Sequence, residues 1–254
     1  MKRTIDLNCD LGEAFGNYPM PADKLLMDYI TSANIACGYH AGDPAVMQQT
    51  VKTAIEKGVA IGAHPGLPDL QGFGRREIKI SANEAYQITL YQIGALHAFV
   101  KVANGKLNHV KLHGAFYNMA AQDLQLSNAV VQAICDFDRS LILYALSGSK
   151  MIEAANQAGL QAASEVFADR SYQDDGSLTP RTVENALISS DEIAWKQVLR
   201  MVKAQEVVAV SGKPVQLKAD TICLHGDGVH AISFAKMISE KLKAEGIILK
   251  SPGK

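Results

Sequence analysis

The sequence predicts an α/β fold in which parallel strands close into a TIM-like (β/α) barrel. Three observations lead there. Seven short runs rich in β-branched and apolar residues, at 4–9, 33–38, 59–63, 110–112, 141–146, 164–168 and 221–224, alternate with longer stretches of helical periodicity, the pattern of parallel strands joined by crossover helices. The chain has 254 residues, and seven or eight strand–helix units in that length match a barrel domain. Several runs also end on polar residues, where barrel enzymes place their chemistry. An open doubly wound sheet is the competing arrangement.

The elements follow in order. After the first two runs, residues 44–57 carry an apolar face, with Asp43 as N-cap and Pro44 at the first helical position. Gly58 stops this helix before the third run. Ser81-Ala82-Asn83-Glu84 reads as a capping box that opens a second long helix, which Gly105 stops. Residues 190–204 and 231–245 are helical by pattern, and Gly246 closes the latter. Residues 207–217 break the rhythm as two short β runs around Ser211-Gly212, a hairpin excursion. No linker or composition shift divides the chain, so residues 1–254 read as a single β/α-barrel domain.

Composition narrows the function classes. The chain is 48% hydrophobic and 20% charged, with 25 Lys and Arg against 26 Asp and Glu and a net charge of -1. Neither nucleic acid nor an anionic membrane is an expected partner, and a small molecule is. The N-terminus has no apolar signal core and no run is long enough to span a bilayer, so a cytoplasmic location is expected. Cys9, Cys37, Cys135 and Cys223 show no C-x-x-C pairing, which argues against a structural zinc site and a disulfide framework and for free, mostly buried thiols.

The strands of a covered parallel sheet should be almost wholly apolar, and these are not. Period-two alternation puts Asp6, Asn8 and Asp10 on one face of the first strand, opposite Ile5, Leu7 and Cys9. The second places Asn34, Ala36, Gly38 and His40 on one face. The third ends at His64, the fourth alternates His109, Lys111 and His113, the sixth leads through Glu165 to Asp169-Arg170, and the seventh gives Cys223, His225 and Asp227. Four histidines that each follow a strand near glycine, His40, His64, His113 and His225, are a catalytic constellation. His97, inside a helical stretch, is left out, and His109 reads as a strand start near solvent. Glu13 reads equally as an ordinary loop charge, Asp43 is explained by capping, and Arg75-Arg76 after Gly-Phe-Gly is suited to a carboxylate or phosphate or is a solvated basic pair.

Such a cup either binds a divalent metal that activates water or works directly as general base and acid. Candidate ligands are Asp10, His40, His64 and His113. No G-x-x-x-x-G-K-[ST] or G-x-G-x-x-G occurs, and no G-x-S-x-G elbow offers a nucleophile. Water is the expected nucleophile, and a self-contained nucleotide site is not expected.

At these same residues the chain resembles the LamB/YcsF family. The resemblance rests on Asp6–Glu13, on the block from Ala33 to Asp43, on Gly62-Ala63-His64-Pro65-Gly66 with Asp69 and Gly72–Arg76, on Val110–Ala115, on Phe167-Ala168-Asp169-Arg170 and on His225-Gly226-Asp227. It implies a barrel akin to the glycoside hydrolase/deacetylase superfamily. It also implies hydrolytic opening of 5-oxo-L-proline to L-glutamate at the expense of ATP, with B and C partner subunits that bind the ATP alone or with this chain. Catalysis is then expected from Asp10, His40, His64, His113 and His225. Substrate binding is expected from Asp6, Asn8, Glu13, Asn34, Arg75, Lys111, Arg170 and Asp227. A divalent metal and self-association stay open. A metal-dependent deacetylase or amidohydrolase and a non-catalytic substrate-binding scaffold are the competing functions.

Overall fold

The computed structural model describes residues 3–224 and 230–253; His225 and Asp227 lie outside the described residues. Seven strands form the barrel: β1 (Thr4–Leu11), β2 (Ser32–Ala36), β3 (Ala60–His64), β4 (Leu107–Lys111), β5 (Ile142–Leu146), β6 (Ala162–Phe167) and β9 (Thr221–Leu224). They pair in parallel in that order. Pairing of β1 with β9, from Asp6 opposite Thr221 to Cys9 opposite Leu224, closes the ring and excludes the open sheet. β10 (Ile248–Leu249) adds to the start of β1, and β7 (Glu206–Val208) with β8 (Pro214–Gln216) makes the antiparallel hairpin.

The covering helices are α1 (Asp23–Leu26), α2 (Pro44–Glu56), α3 (Ala82–Val102), α4 (Gly114–Gln122), α5 (Leu124–Asp138), α6 (Lys150–Ala158), α7 (Asp191–Ala204) and α8 (Ala231–Ala244). Asp43 caps α2, accepting from the amides of Ala45 and Val46. The sequence pattern does not delimit α4, α5 and α6. Asp123 is the reason for the first two: it ends one helix and caps the next, accepting from Gln125 and Leu126, so periodicity runs on with a phase break. Among the described residues no helix is long and apolar enough to cross a membrane.

The capping box of α3 is complete: Ser81 Oγ accepts from the Glu84 amide, and Glu84 Oε2 accepts from the Ser81 amide at 2.7 Å. These groups are exposed and distant from the strand ends, so Ser81→Ala should cost about 1 kcal/mol with activity unchanged, as thermal melting and an activity assay will show.

The apolar faces of the strands point outward. Ile5, Leu7, Cys9 and Leu11 of β1 are at most 2% exposed and join one core with the helices, while Asp6 and Asn8 are equally buried on the opposite, interior face. A separate small cluster, Ile142, Tyr144 and Ala163, plugs the barrel at the strand starts. All four cysteines are free and buried.

Candidate active site

Above the plug the barrel interior is polar up to the mouth, and its buried carboxylate, amide and ammonium groups are hydrogen-bonded layer by layer, as burial of such groups requires. At the floor, Asp6 accepts from the hydroxyls of Ser32 at 2.8 Å, Thr221 at 2.6 Å and Thr31. Burial raises its carboxyl above the usual range, against these hydroxyls. One layer up, Asn8 Nδ2 donates to Glu165 Oε1 at 2.9 Å and to Thr221 Oγ1 at 2.7 Å. Asn34 Nδ2 donates to Asn8 Oδ1 and to Asp10 Oδ1, both at 2.8 Å.

Above them sits a carboxylate–ammonium–carboxylate group. Lys111 Nζ lies 2.8 Å from Asp10 Oδ1, 3.1 Å from Glu165 Oε1 and 3.2 Å from Cys223 Sγ, with the side chain 2% exposed. Burial works against its charge, yet Asp10, Cys223 and Glu165 carry its pKa well above the ordinary lysine value. The same attraction acts on Asp10: burial would raise it, but His64 and Lys111 outweigh that and hold it well below the carboxylate range. Tyr117 completes the group, donating to Glu165 Oε2 at 2.7 Å.

Beside Asp10 the histidines gather. His64 Nδ1 donates to the Lys111 carbonyl at 2.8 Å, and His113 Nε2 donates to the Phe73 carbonyl at 2.8 Å. Their remaining nitrogens, His64 Nε2 and His113 Nδ1, face each other at 2.9 Å. Because both outward N–H groups are spent on carbonyls, the inward nitrogens are bare in the neutral rings. His40 stacks on His113 with ring centroids 3.7 Å apart and presents Nε2 to Glu13 Oε1 at 3.1 Å. Burial, then His64, depresses His40, and burial with His40 and His64 depresses His113. Burial and Asp10 push Glu13 up to about 8.

The backbone is shaped to hold this cluster. Phe73 takes a left-handed φ of 54°, uncommon for an aromatic residue, and so turns its carbonyl to His113. A Cβ on Gly74 would stand 2.7 Å from His40 Cβ and 2.9 Å from His113 Cδ2, so only glycine fits behind the stacked rings.

One ligand atom each from Glu13, His40, His64 and His113 lies within 4.8 Å of the others. Two bare nitrogen lone pairs aimed at one point repel unless a cation or shared proton lies between them, and histidines tied outward to carbonyls are the usual support of a metal site. The donor set therefore fits a divalent ion. Three of the four sequence-level metal candidates are in this set; Asp10 stands next to it, 3.3 Å from His64 Nε2, and the loop residue Glu13 joins it.

The cluster forms one wall of a cavity of about 750 Å³ at the strand C-terminal ends, which Asp10, Glu13, Arg75, Lys111, His113 and Arg170 line together with Tyr117 and Phe167. His40 and His64 stand behind this lining, 1% and 0% exposed. Asp6, Asn8 and Asn34 lie deeper still: Asp6 is spent on the hydroxyls of Thr31, Ser32 and Thr221, and Asn8 and Asn34 on each other and on Asp10, Glu165 and Thr221. Arg170 is held by the carbonyls of Ala186 and Thr179. Arg75 lies over the Phe73 ring at 4.9 Å, whereas Arg76 pairs with Asp69. Sequence reasoning did not single out Tyr117, Phe73 or the pairing role of Glu165; a glutamate within the run 164–168 was the available signal for the last.

Fold and mouth together define a β/α barrel with a metal-competent, water-accessible pocket of acids, bases and cations, the plan of a barrel hydrolase. The chain belongs to the LamB/YcsF family, whose model matches residues 5–254. It is 57% identical over 247 residues to a Tolumonas auensis protein named as a subunit of 5-oxoprolinase, covering 97% of this chain and 98% of the relative. A lactam utilization protein from Thermus thermophilus superposes with a TM-score of 0.91 at 41% identity, over 97% of this chain and 99% of that one. The T48 deacetylase solved with its substrate superposes with a TM-score of 0.52 at 12% identity, over 98% and 87% of the two chains, a likeness of fold alone.

Proposed function

We propose that this chain, a cytoplasmic single-domain barrel, is the lactam-opening subunit of an ATP-dependent 5-oxoprolinase that works with B and C subunits. The observation that carries this reading is the placement of the Glu13–histidine cluster and the Asp10–Lys111–Glu165 group side by side against one cavity, into which Asp10, Glu13, Lys111 and His113 reach; the name shared by full-length relatives supplies the substrate. A five-membered lactam resists hydrolysis, and the sequence has no phosphate-binding loop. ATP is therefore spent on a partner chain, and the activated lactam is opened here.

A divalent ion held by Glu13, His40, His64 and His113 would supply Lewis acidity and a water of lowered pKa. The chain's own groups do the rest. Asp10, kept ionised, accepts a hydrogen bond from the attacking water and orients it toward the ring carbonyl carbon. The Lys111 ammonium faces the oxygen on which negative charge develops. Arg75 and Arg170, on the cavity wall, bind the substrate carboxylate or a phosphoryl group. As the new C–O bond forms the attacking water passes a proton to Asp10, and as the C–N bond breaks that proton is delivered to the ring nitrogen, directly or by way of a bare inward nitrogen of the histidine group, His113 being on the cavity lining; glutamate is released. His225 and Asp227 keep the catalytic and substrate-binding roles read for them from the sequence.

Incubating 5-oxoproline and ATP with the chain and its partner subunits, alone and together, and following ADP and glutamate separately tests the proposal. Glutamate is expected only when this chain is present; undiminished glutamate without it refutes the role. The donor set favours one alternative, an ATP-independent metal-dependent amidohydrolase, and lactam opening by chain and cation alone would establish that instead. Calorimetric titration with Zn²⁺ or Mn²⁺ should show one equivalent bound by the wild type and none by His64→Ala. No uptake by the wild type would leave the cluster to acid–base work only.

A further inference from the structure

We infer that His109 is a positioning residue, which fixes through Asn34 the direction of the hydrogen bonds that hold Asp10 and Lys111 in place without itself reaching the cavity; this rests on the reading of the site given above. The sequence places His109 at a strand start near solvent. The structure buries it completely, its ring stacked on Tyr144 at 4.0 Å. Its Nε2 lies 2.8 Å from Asn34 Oδ1.

The direction of that bond is dictated by counting. Asn34 has two amide hydrogens, and both are committed, one to Asn8 Oδ1 and one to Asp10 Oδ1. Its oxygen can only accept. The other ring nitrogen, Nδ1, lies 3.2 Å from Asn108 Oδ1 in a half-buried contact, and a neutral ring has one proton for the two; the shorter, fully buried contact to Asn34 takes it, so His109 carries its proton on Nε2. Burial, with Lys111 nearby, lowers the His109 pKa to about 3, and the ring is a neutral donor. Turning the Asn34 amide over would set its oxygen against the Asp10 carboxylate and the Asn8 oxygen. Asn8 is saturated in the same sense: its oxygen accepts from Asn34 and from Lys111 at 3.3 Å, and its two hydrogens go to Glu165 and Thr221. One polarity therefore runs from His109 through Asn34 to Asp10, and through Asn8 to Glu165, the two carboxylates that grip Lys111.

Gly62 on the neighbouring strand makes room for the arrangement. A Cβ there would stand 2.1 Å from His109 Nε2, so the ring reaches Asn34 only past a glycine.

His109→Phe keeps the ring and its stacking on Tyr144 and removes the donor; His109→Gln restores a donor near the Nε2 position. In the assay with partner subunits, H109F should lower kcat about 10–100-fold, the range for a group that orients a ligand or base from behind, while KM moves less than about twofold. H109Q should recover most of kcat. Equal kcat in H109F and wild type, or H109Q no better than H109F with both folded by circular dichroism, overturns the proposal. NMR of the chain alone gives a readout independent of the reaction: imidazole nitrogen spectra should show the Nε2–H tautomer for His109. The Asn34 side-chain amide signals should lose their exchange protection in H109F and keep it in H109Q. An Nδ1–H tautomer overturns the proposal whatever the substrate proves to be, and absence of glutamate from the wild-type complex overturns only the functional reading.

Discussion

Lys111→Met should destabilise the folded chain by about 3–5 kcal/mol and abolish glutamate formation, because it strips the cation from a buried pair of carboxylates. Lys111 is 2% exposed and lies within 3.1 Å of both Asp10 and Glu165. Methionine fills much of the same volume, so the cost is electrostatic rather than a cavity. This makes a specific forecast for the double variant: adding Glu165→Gln removes one orphaned charge and should return part of the stability that Lys111→Met loses, without returning activity. Urea denaturation of the single and double variants measures the coupling. Equal stability of Lys111→Met and wild type would mean that the ion group contributes nothing to folding. Lys111→Arg should not rescue, since a planar guanidinium does not fit a closed interior in which Nζ already contacts two carboxylates, an amide oxygen and the Cys223 sulfur.

That interior was legible in the sequence in one dimension and not in the other two. Period-two alternation correctly turned Asp6, Asn8 and Asp10 inward, and the caps at Asp43 and Ser81 needed only local chemistry. Alternation gives the face of a strand, however, and says nothing of height. Asp6 sits at the floor among hydroxyls, two layers below Asp10, which lines the cavity, although both were read as parts of one cup. His109 shares a strand with Lys111, and its burial under Tyr144 depends on a residue 35 positions away in sequence and on the absence of a side chain at Gly62. Glu13 lies in a loop just after β1, where a charge needs no explanation; only closure of the barrel brings it to His40, His64 and His113. The pairing of Tyr117 with Glu165 joins a helix and a strand 48 residues apart. Partners that are set by closure leave no local signal.

His113→Ala carries the second large effect, and its value lies in separating the two ends of one ring. Nδ1 belongs to the cluster, 2.9 Å from His64 Nε2 and 3.4 Å from Glu13 Oε1, while Nε2–H holds the Phe73 carbonyl at the turn that carries Arg75. Loss of the whole ring should lower glutamate formation by about 10²–10⁴, the range for a positioned acid–base group, and should weaken Zn²⁺ uptake. It also unstacks His40. His113→Gln is the sharper variant, since its amide can still donate to the Phe73 carbonyl while the cluster loses its nitrogen. His113→Asn keeps a polar atom near Nδ1 and frees the turn. If the cluster does the chemistry, the glutamine variant should be as inactive as alanine yet melt close to wild type. The asparagine variant should instead show its deficit mainly in KM, through Arg75. A fully active glutamine variant would remove His113 from the reaction and leave it as a support for the loop.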